Sequence, residues 1–158
     1  MRCLVLLSFL LGVFVANSAF AQERFAFSAD GQEVTDSKTS LLWRRCPEGM
    51  TWKSKACRGE AIFFTQAEAV GRAQAASVAA AQWRLPTMRE LSSIASAKEA
   101  QDGKAAVNPT AFPNTPAARF WTSTATGPGY FTFVGFSDGS AGESPRMSPG
   151  AVRLVRTQ

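Results

Sequence analysis

At 158 residues the chain has room for one domain, and it contains no histidine, which excludes Ser-His-Asp and Cys-His catalysis and every histidine-based zinc or copper site. Seventeen Lys and Arg stand against twelve Asp and Glu, a formal charge of +5. That excess suits contact with polyanions or an anionic cell surface, but it falls short of a nucleic-acid-binding signature.

The N-terminus reads as an export signal. Arg2 supplies the positive charge, Leu4 to Val15 is an almost unbroken apolar run, and Ala19-Phe20-Ala21 fits the small-residue pattern that signal peptidase reads. Cleavage is expected before Gln22, giving a signal peptide over 1–21 and one domain over 22–158. The apolar run is short of the roughly 20 residues that span a bilayer. A retained N-terminal anchor is the alternative. Cys3 precedes the apolar run, so it is no lipoprotein anchor and is expected to leave with the signal.

Phe25 and Phe27 suggest a first edge strand, followed by the turn Asp30-Gly31. Glu33 to Thr35 and Ser40 to Arg45 read as short strands on either side of a polar turn. From Cys46 to Cys57 the sequence reads as a loop. Exported protein sits in an oxidising compartment, where an isolated cysteine pair this close is expected to form a disulfide; two free thiols are the alternative.

Two capping boxes come next. Thr65 with Glu68 opens an alanine-rich helix expected to run to about Gln82, and Thr87 with Glu90 opens a second, with Met88, Leu91, Ile94 and Ala95 as its apolar face. Lys98 to Pro116 is polar and proline-punctuated, hence loop. Phe120 to Thr124 and Tyr130 to Phe136 are strands, Asp138-Gly139 marks a hairpin turn, and Glu143 to Gly150 reads as loop. Ala151 to Arg156 closes the chain as a strand with Val152 and Leu154 inward. Short strands, two central helices and more strands make an α+β domain.

Several segments, in order along nearly the whole domain, resemble the Lcl C-terminal domain family, named for the tip domain of a bacterial collagen-like adhesin. They include Val34-Thr35-Asp36, Leu42-Trp43 with Cys46-Pro47, Thr65 to Ala69, and Trp83 to Thr87 with Glu90-Leu91. Asn108-Pro109, Phe112 to Thr115, Phe120 to Ser123, Phe136 to Gly139 and Val152 to Arg156 complete the set. The resemblance implies a C-type-lectin-like fold, two helices flanking a small antiparallel sheet with long loops, and it leaves self-association open. Arg84-Leu85-Pro86-Thr87 also looks like a segment of formylglycine-generating enzymes, a likeness at fold level. The calcium-site triplets of sugar-binding lectins are absent, and no cysteine follows Cys57 to serve as the late cysteines of those enzymes do. Neither the calcium site nor the oxidase chemistry carries over.

The candidate ligand site is the stretch from Arg44 to Arg58. Arg44, Arg45, Lys53, Lys55 and Arg58 face one acid there, Glu48, while the rest of the expected mature chain is balanced at eleven basic and eleven acidic residues. A tethered loop pre-orders these cations, arginine grips sulfate or phosphate in bidentate fashion, and Trp52 offers a ring face to a sugar. An ordinary solvated basic loop is the plain alternative. Trp43, Trp83 and Trp121 are expected in the core, Arg84 and Glu90 as a structural pair, and Asp30, Asp36, Asp102 and Asp138 in turns rather than at calcium. The sequence thus reads as an exported non-catalytic binding module, periplasmic, secreted or at the cell surface, for an anionic glycan or other surface polymer. No metal, no cofactor and no nucleic acid are expected. An assembly subunit docking onto envelope proteins is the rival reading.

Overall fold

The computed structural model describes residues 23–100 and 103–158, so the expected signal sequence, with Cys3, lies outside the described residues, as does Asp102. Among the described residues the architecture is α+β, with nine strands and two α-helices. A four-stranded antiparallel sheet runs in the order β1 (Phe25–Phe27), β2 (Glu33–Asp36), β3 (Leu41–Arg44), β9 (Val155–Thr157). β4 (Thr51–Lys53) and β5 (Ala56–Arg58) form a separate hairpin, and β6 (Arg119–Gly127), β7 (Tyr130–Gly135) and β8 (Ala141–Pro145) a three-stranded sheet.

Alternation along β3 sorts its side chains between two cores. Leu41 and Trp43 point into one, where Trp43 pairs across to Val34 and Val155 and meets Leu91, Ile94, Phe112, Phe120 and Phe136. Leu42 points the other way, toward Trp83, Leu85, Trp121, Val152 and Leu154. The three tryptophans expected in the core are all there, at 0 %, 5 % and 1 % exposure for Trp43, Trp83 and Trp121.

Both capping boxes form. The Thr65 hydroxyl accepts from the Glu68 N–H at the start of α1 (Gln66–Ala76), and Thr87 accepts from Glu90 at the start of α2 (Met88–Ile94). Glu90 also holds Arg84 through two bonds of 2.7 Å, the structural pair expected from the sequence. These Arg84 bonds, with the helix-cap contacts, hold its carboxyl below the usual range against the opposing effect of burial.

Four expectations are corrected. The first helix ends at Ala76, not near Gln82, because the Ser77 hydroxyl accepts from the Trp83 N–H and bonds back to the Ala73 carbonyl. A tight turn with paired bonds between Val78 and Ala81 then returns the chain so that Trp83 enters the core. Met88 is exposed, since it occupies the first helical position at the rim, where its N–H reaches the Thr124 hydroxyl. β8 occupies part of the stretch read as loop. Its sequence, Ala-Gly-Glu-Ser-Pro, lacks apolar alternation, and backbone pairing with β7 alone defines this edge strand. The C-terminal segment is buried from Ala151 to Val155, with Val152 and Leu154 inward as expected, but only its end pairs as a strand.

That segment carries a fully buried arginine. Arg153 donates to the carbonyls of Arg44 and Arg45 and to the Thr115 hydroxyl, and lies over the rings of Phe112 and Phe120. Burial pushes its guanidinium down to about 9, still charged at neutral pH.

Candidate functional site: the disulfide hairpin and the cleft beside it

The Cys46–Cys57 disulfide forms, with Cα atoms 5.4 Å apart. The stretch read as loop contains the β4–β5 hairpin, whose two-residue turn, Ser54-Lys55, has φ values of 52° and 60°. Two successive left-handed residues make this the turn type whose twist matches paired strands, usually built from Asn-Gly. Neither residue carries that signature, which is why the hairpin is hard to read from sequence.

Cross-strand partners share a face. Trp52 pairs with Cys57 and turns inward with the disulfide, whereas Lys53 and Arg58 alternate outward. Lys53, Lys55 and Arg58 are exposed and make no ion pair among the described residues.

The two arginines at the start of the stretch behave differently. Arg45 is buried, continuing the inward alternation of Leu41 and Trp43. It donates to the carbonyls of Gly31 (2.8 Å), Thr110 (2.7 Å) and Ala111 (2.9 Å). Its guanidinium lies 4.4 Å from the centroid of Phe27 and 4.1 Å from that of Trp52. Burial lowers its pKa. Arg45 is thus a clamp between β1 and the hairpin and is not available to a ligand, and it covers the Trp52 ring. Gly31 completes the fit. Its φ is +73°, and a Cβ there would stand 3.0 Å from the indole.

Arg44 points to the opposite face and lies 4.8 Å over the Trp83 ring. Its side chain makes no hydrogen bond among the described residues, and its Nε is buried without a partner. Arg24, Arg72, Arg119 and Arg156 also lie over aromatic rings, Arg72 and Arg119 while remaining exposed.

Beside the hairpin opens a cleft of about 780 Å³, walled by the ends of β2 and β3, the loop after Cys46, and the last turns of α1. Asp30, Glu33 and Glu48 line it together with Arg44, Arg72 and Trp52. Arg72 places Nε and one terminal nitrogen on a single Glu48 oxygen, at 3.0 and 2.9 Å. The six residues expected as one site therefore divide. Lys53, Lys55 and Arg58 present an outward cationic face, Arg44 and Trp52 border the cleft, and Arg45 is internal. Sequence reasoning missed Arg72, which lies outside the basic stretch.

Asp30, Asp36 and Asp138 serve turns as expected. Asp30 accepts from the Ser28 hydroxyl and the Gln32 N–H, Asp138 from the Ser140 N–H, and Asp36 from the Lys38 N–H and the Thr39 hydroxyl while also pairing with Arg24. Among the described residues no cluster of three or more Cys, Asp or Glu could hold a metal ion, and no helix is long and apolar enough to cross a membrane.

Sheets, capped helices and stapled hairpin together define a small disulfide-bonded α+β domain. The chain belongs to the Lcl C-terminal domain family, whose sequence profile matches residues 32–156. No curated protein matches it.

Proposed function

We propose that the protein is an exported, non-catalytic binding module, C-type-lectin-like in fold, that recognises an anionic glycan or a similar cell-surface polymer. The observation that carries this reading is the outward face of the hairpin. Lys53, Lys55 and Arg58 are displayed there with no acidic partner among the described residues, on a strand pair fixed at one end by a disulfide and underneath by Arg45. A fixed array loses little conformational entropy on gripping a polyanion. Export is supported by the leader-like sequence of residues 1–21, and the disulfide agrees with an oxidising compartment. The family's adhesin namesake points the same way.

The test is retention on a sulfated polysaccharide such as heparin across a salt series. Three cations releasing counterions give a log–log slope of about −2 to −3, on the scale of about one unit per phosphate neutralised on DNA. No retention at about 0.1 M salt, where screening is still moderate, retires the reading.

A second reading, an assembly subunit docking onto envelope proteins, is favoured by one observation. Ile62 and Phe63 are adjacent in the chain and are 52 % and 49 % exposed. Salt-insensitive co-purification with an envelope protein, lost on changing both to serine, would support it.

A further inference from the structure

We propose that the cleft beside the hairpin is a second binding site, independent of the cationic face, for a small organic carboxylate that also carries hydrogen-bond donors. Its volume, about 780 Å³, lies within the range of about 300–1,000 Å³ typical of small-molecule sites. Arg44 supplies the anchor. Its guanidinium is steadied over Trp83, and its cross-strand neighbour Glu33 bonds Arg156 instead. No protein group among the described residues occupies its fork, which matches a carboxylate in bidentate geometry.

The remaining walls decide what else the ligand carries. Three carboxylates, Asp30, Glu33 and Glu48, line the same cleft against two guanidiniums, Arg44 and Arg72, so it favours a ligand with one carboxylate and hydrogen-bond donors over a densely charged polyanion. Glu48 is only 11 % exposed at its side chain and gives one oxygen to Arg72. Its other oxygen accepts nothing among the described residues, which leaves an acceptor for a ligand that brings an ammonium or hydroxyl group. A ligand with one carboxylate and such donors satisfies both ends. An amino acid or short peptide meets this description, and so does a sugar acid; the shared chemistry is a carboxylate at Arg44 with N–H or O–H donors toward the carboxylates. Lys53, Lys55 and Arg58 do not line the cleft, so the two surfaces act separately.

The experiment is calorimetric titration of the purified protein with alanyl-alanine and with glucuronate, up to about 10 mM to capture weak binding. Propionate, a carboxylate without donors, and methyl glucoside, donors without a carboxylate, are the controls. Binding of either probe at least about tenfold tighter than both controls is expected. The tighter of the two distinguishes ammonium from hydroxyl donors. Arg44→Gln should weaken it by about tenfold or more and Arg44→Lys by less, because lysine keeps the charge and loses the fork. Changing Lys53, Lys55 and Arg58 to alanine should leave it unaltered. Protection of Arg44 from phenylglyoxal by the bound probe, mapped by mass spectrometry in the unaltered protein, checks the placement without any substitution. Binding no tighter than the controls, full retention in Arg44→Gln, or no protection of Arg44 overturns the proposal. Heparin retention is read separately, so failure here leaves the cationic-face reading standing.

Discussion

Replacing Ser54-Lys55 by Asn-Gly should make the protein more stable and a weaker polyanion binder. Both residues hold φ in the left-handed region, at 52° and 60°. That conformation costs an L-residue roughly 1–2 kcal/mol, less for asparagine and nothing for glycine. Against this, glycine adds about 0.5–1 kcal/mol of unfolded-state entropy to be lost on folding. The relief at both positions exceeds the added entropy at one, so the double substitution should stabilise by about 1 kcal/mol. In a domain of this size that raises Tm by about 3–5 °C, readable by differential scanning calorimetry. Ser54→Asn alone should give a smaller rise and leave heparin retention intact, because Lys55 remains. The double variant should elute from heparin at lower salt, having lost one of the hairpin's three exposed cations. A Tm unchanged or lowered by the double substitution would refute the turn geometry. A Tm raised with retention unchanged would show that Lys55 takes no part in binding.

Three further outcomes follow from the fold. Changing Cys46 and Cys57 to serine should cost about 3 kcal/mol, the chain entropy of closing a loop of this length, measured by urea denaturation under non-reducing conditions. Asp36 is buried, which pushes its carboxyl up, but its bonds from Arg24, Lys38 and Thr39 outweigh this and hold it below the usual value. A depressed folded-state pKa contributes stability above about pH 4 that is lost as pH falls through the folded value, and Asp36→Asn should remove this acid-limb dependence while costing about 2 kcal/mol at neutral pH. Gly150→Ala should destabilise by about 1–3 kcal/mol, because its Cβ would stand 2.8 Å from the Trp121 ring, whose N–H is already bonded to the Phe64 carbonyl.

Signals made by a few neighbouring residues were legible. Thr65 with Glu68 and Thr87 with Glu90 marked the helix starts correctly, since a capping box is complete within four residues. The cysteine pair and the three core tryptophans were equally plain. Features set by contacts beyond a single turn, or by strand pairing, were not. The end of α1 depends on a hydroxyl reaching Trp83, and β8 depends on β7. The site was half legible. The basic stretch stood out, yet charge alone did not reveal that Arg45 turns inward over Trp52 while Arg44 faces a cleft. A signal did exist for Arg45: Leu41, Trp43 and Arg45 fall on one side of a period-two pattern. Nothing comparable marked Arg153, whose burial follows from the convergence of Phe112, Phe120 and the Arg44 and Arg45 carbonyls.

The most direct test of the cationic face compares two triple variants on heparin. One changes Lys53, Lys55 and Arg58 to alanine, and the other changes Arg89, Lys98 and Lys104, exposed residues outside the hairpin, thereby removing the same charge. Both leave the core untouched and should melt within about 2 °C of the parent, as surface substitutions generally do. Loss of retention by the hairpin triple, with near-parental elution of the control, is the predicted result; equal losses from both would mean diffuse attraction to net charge and would contradict a binding face on the hairpin.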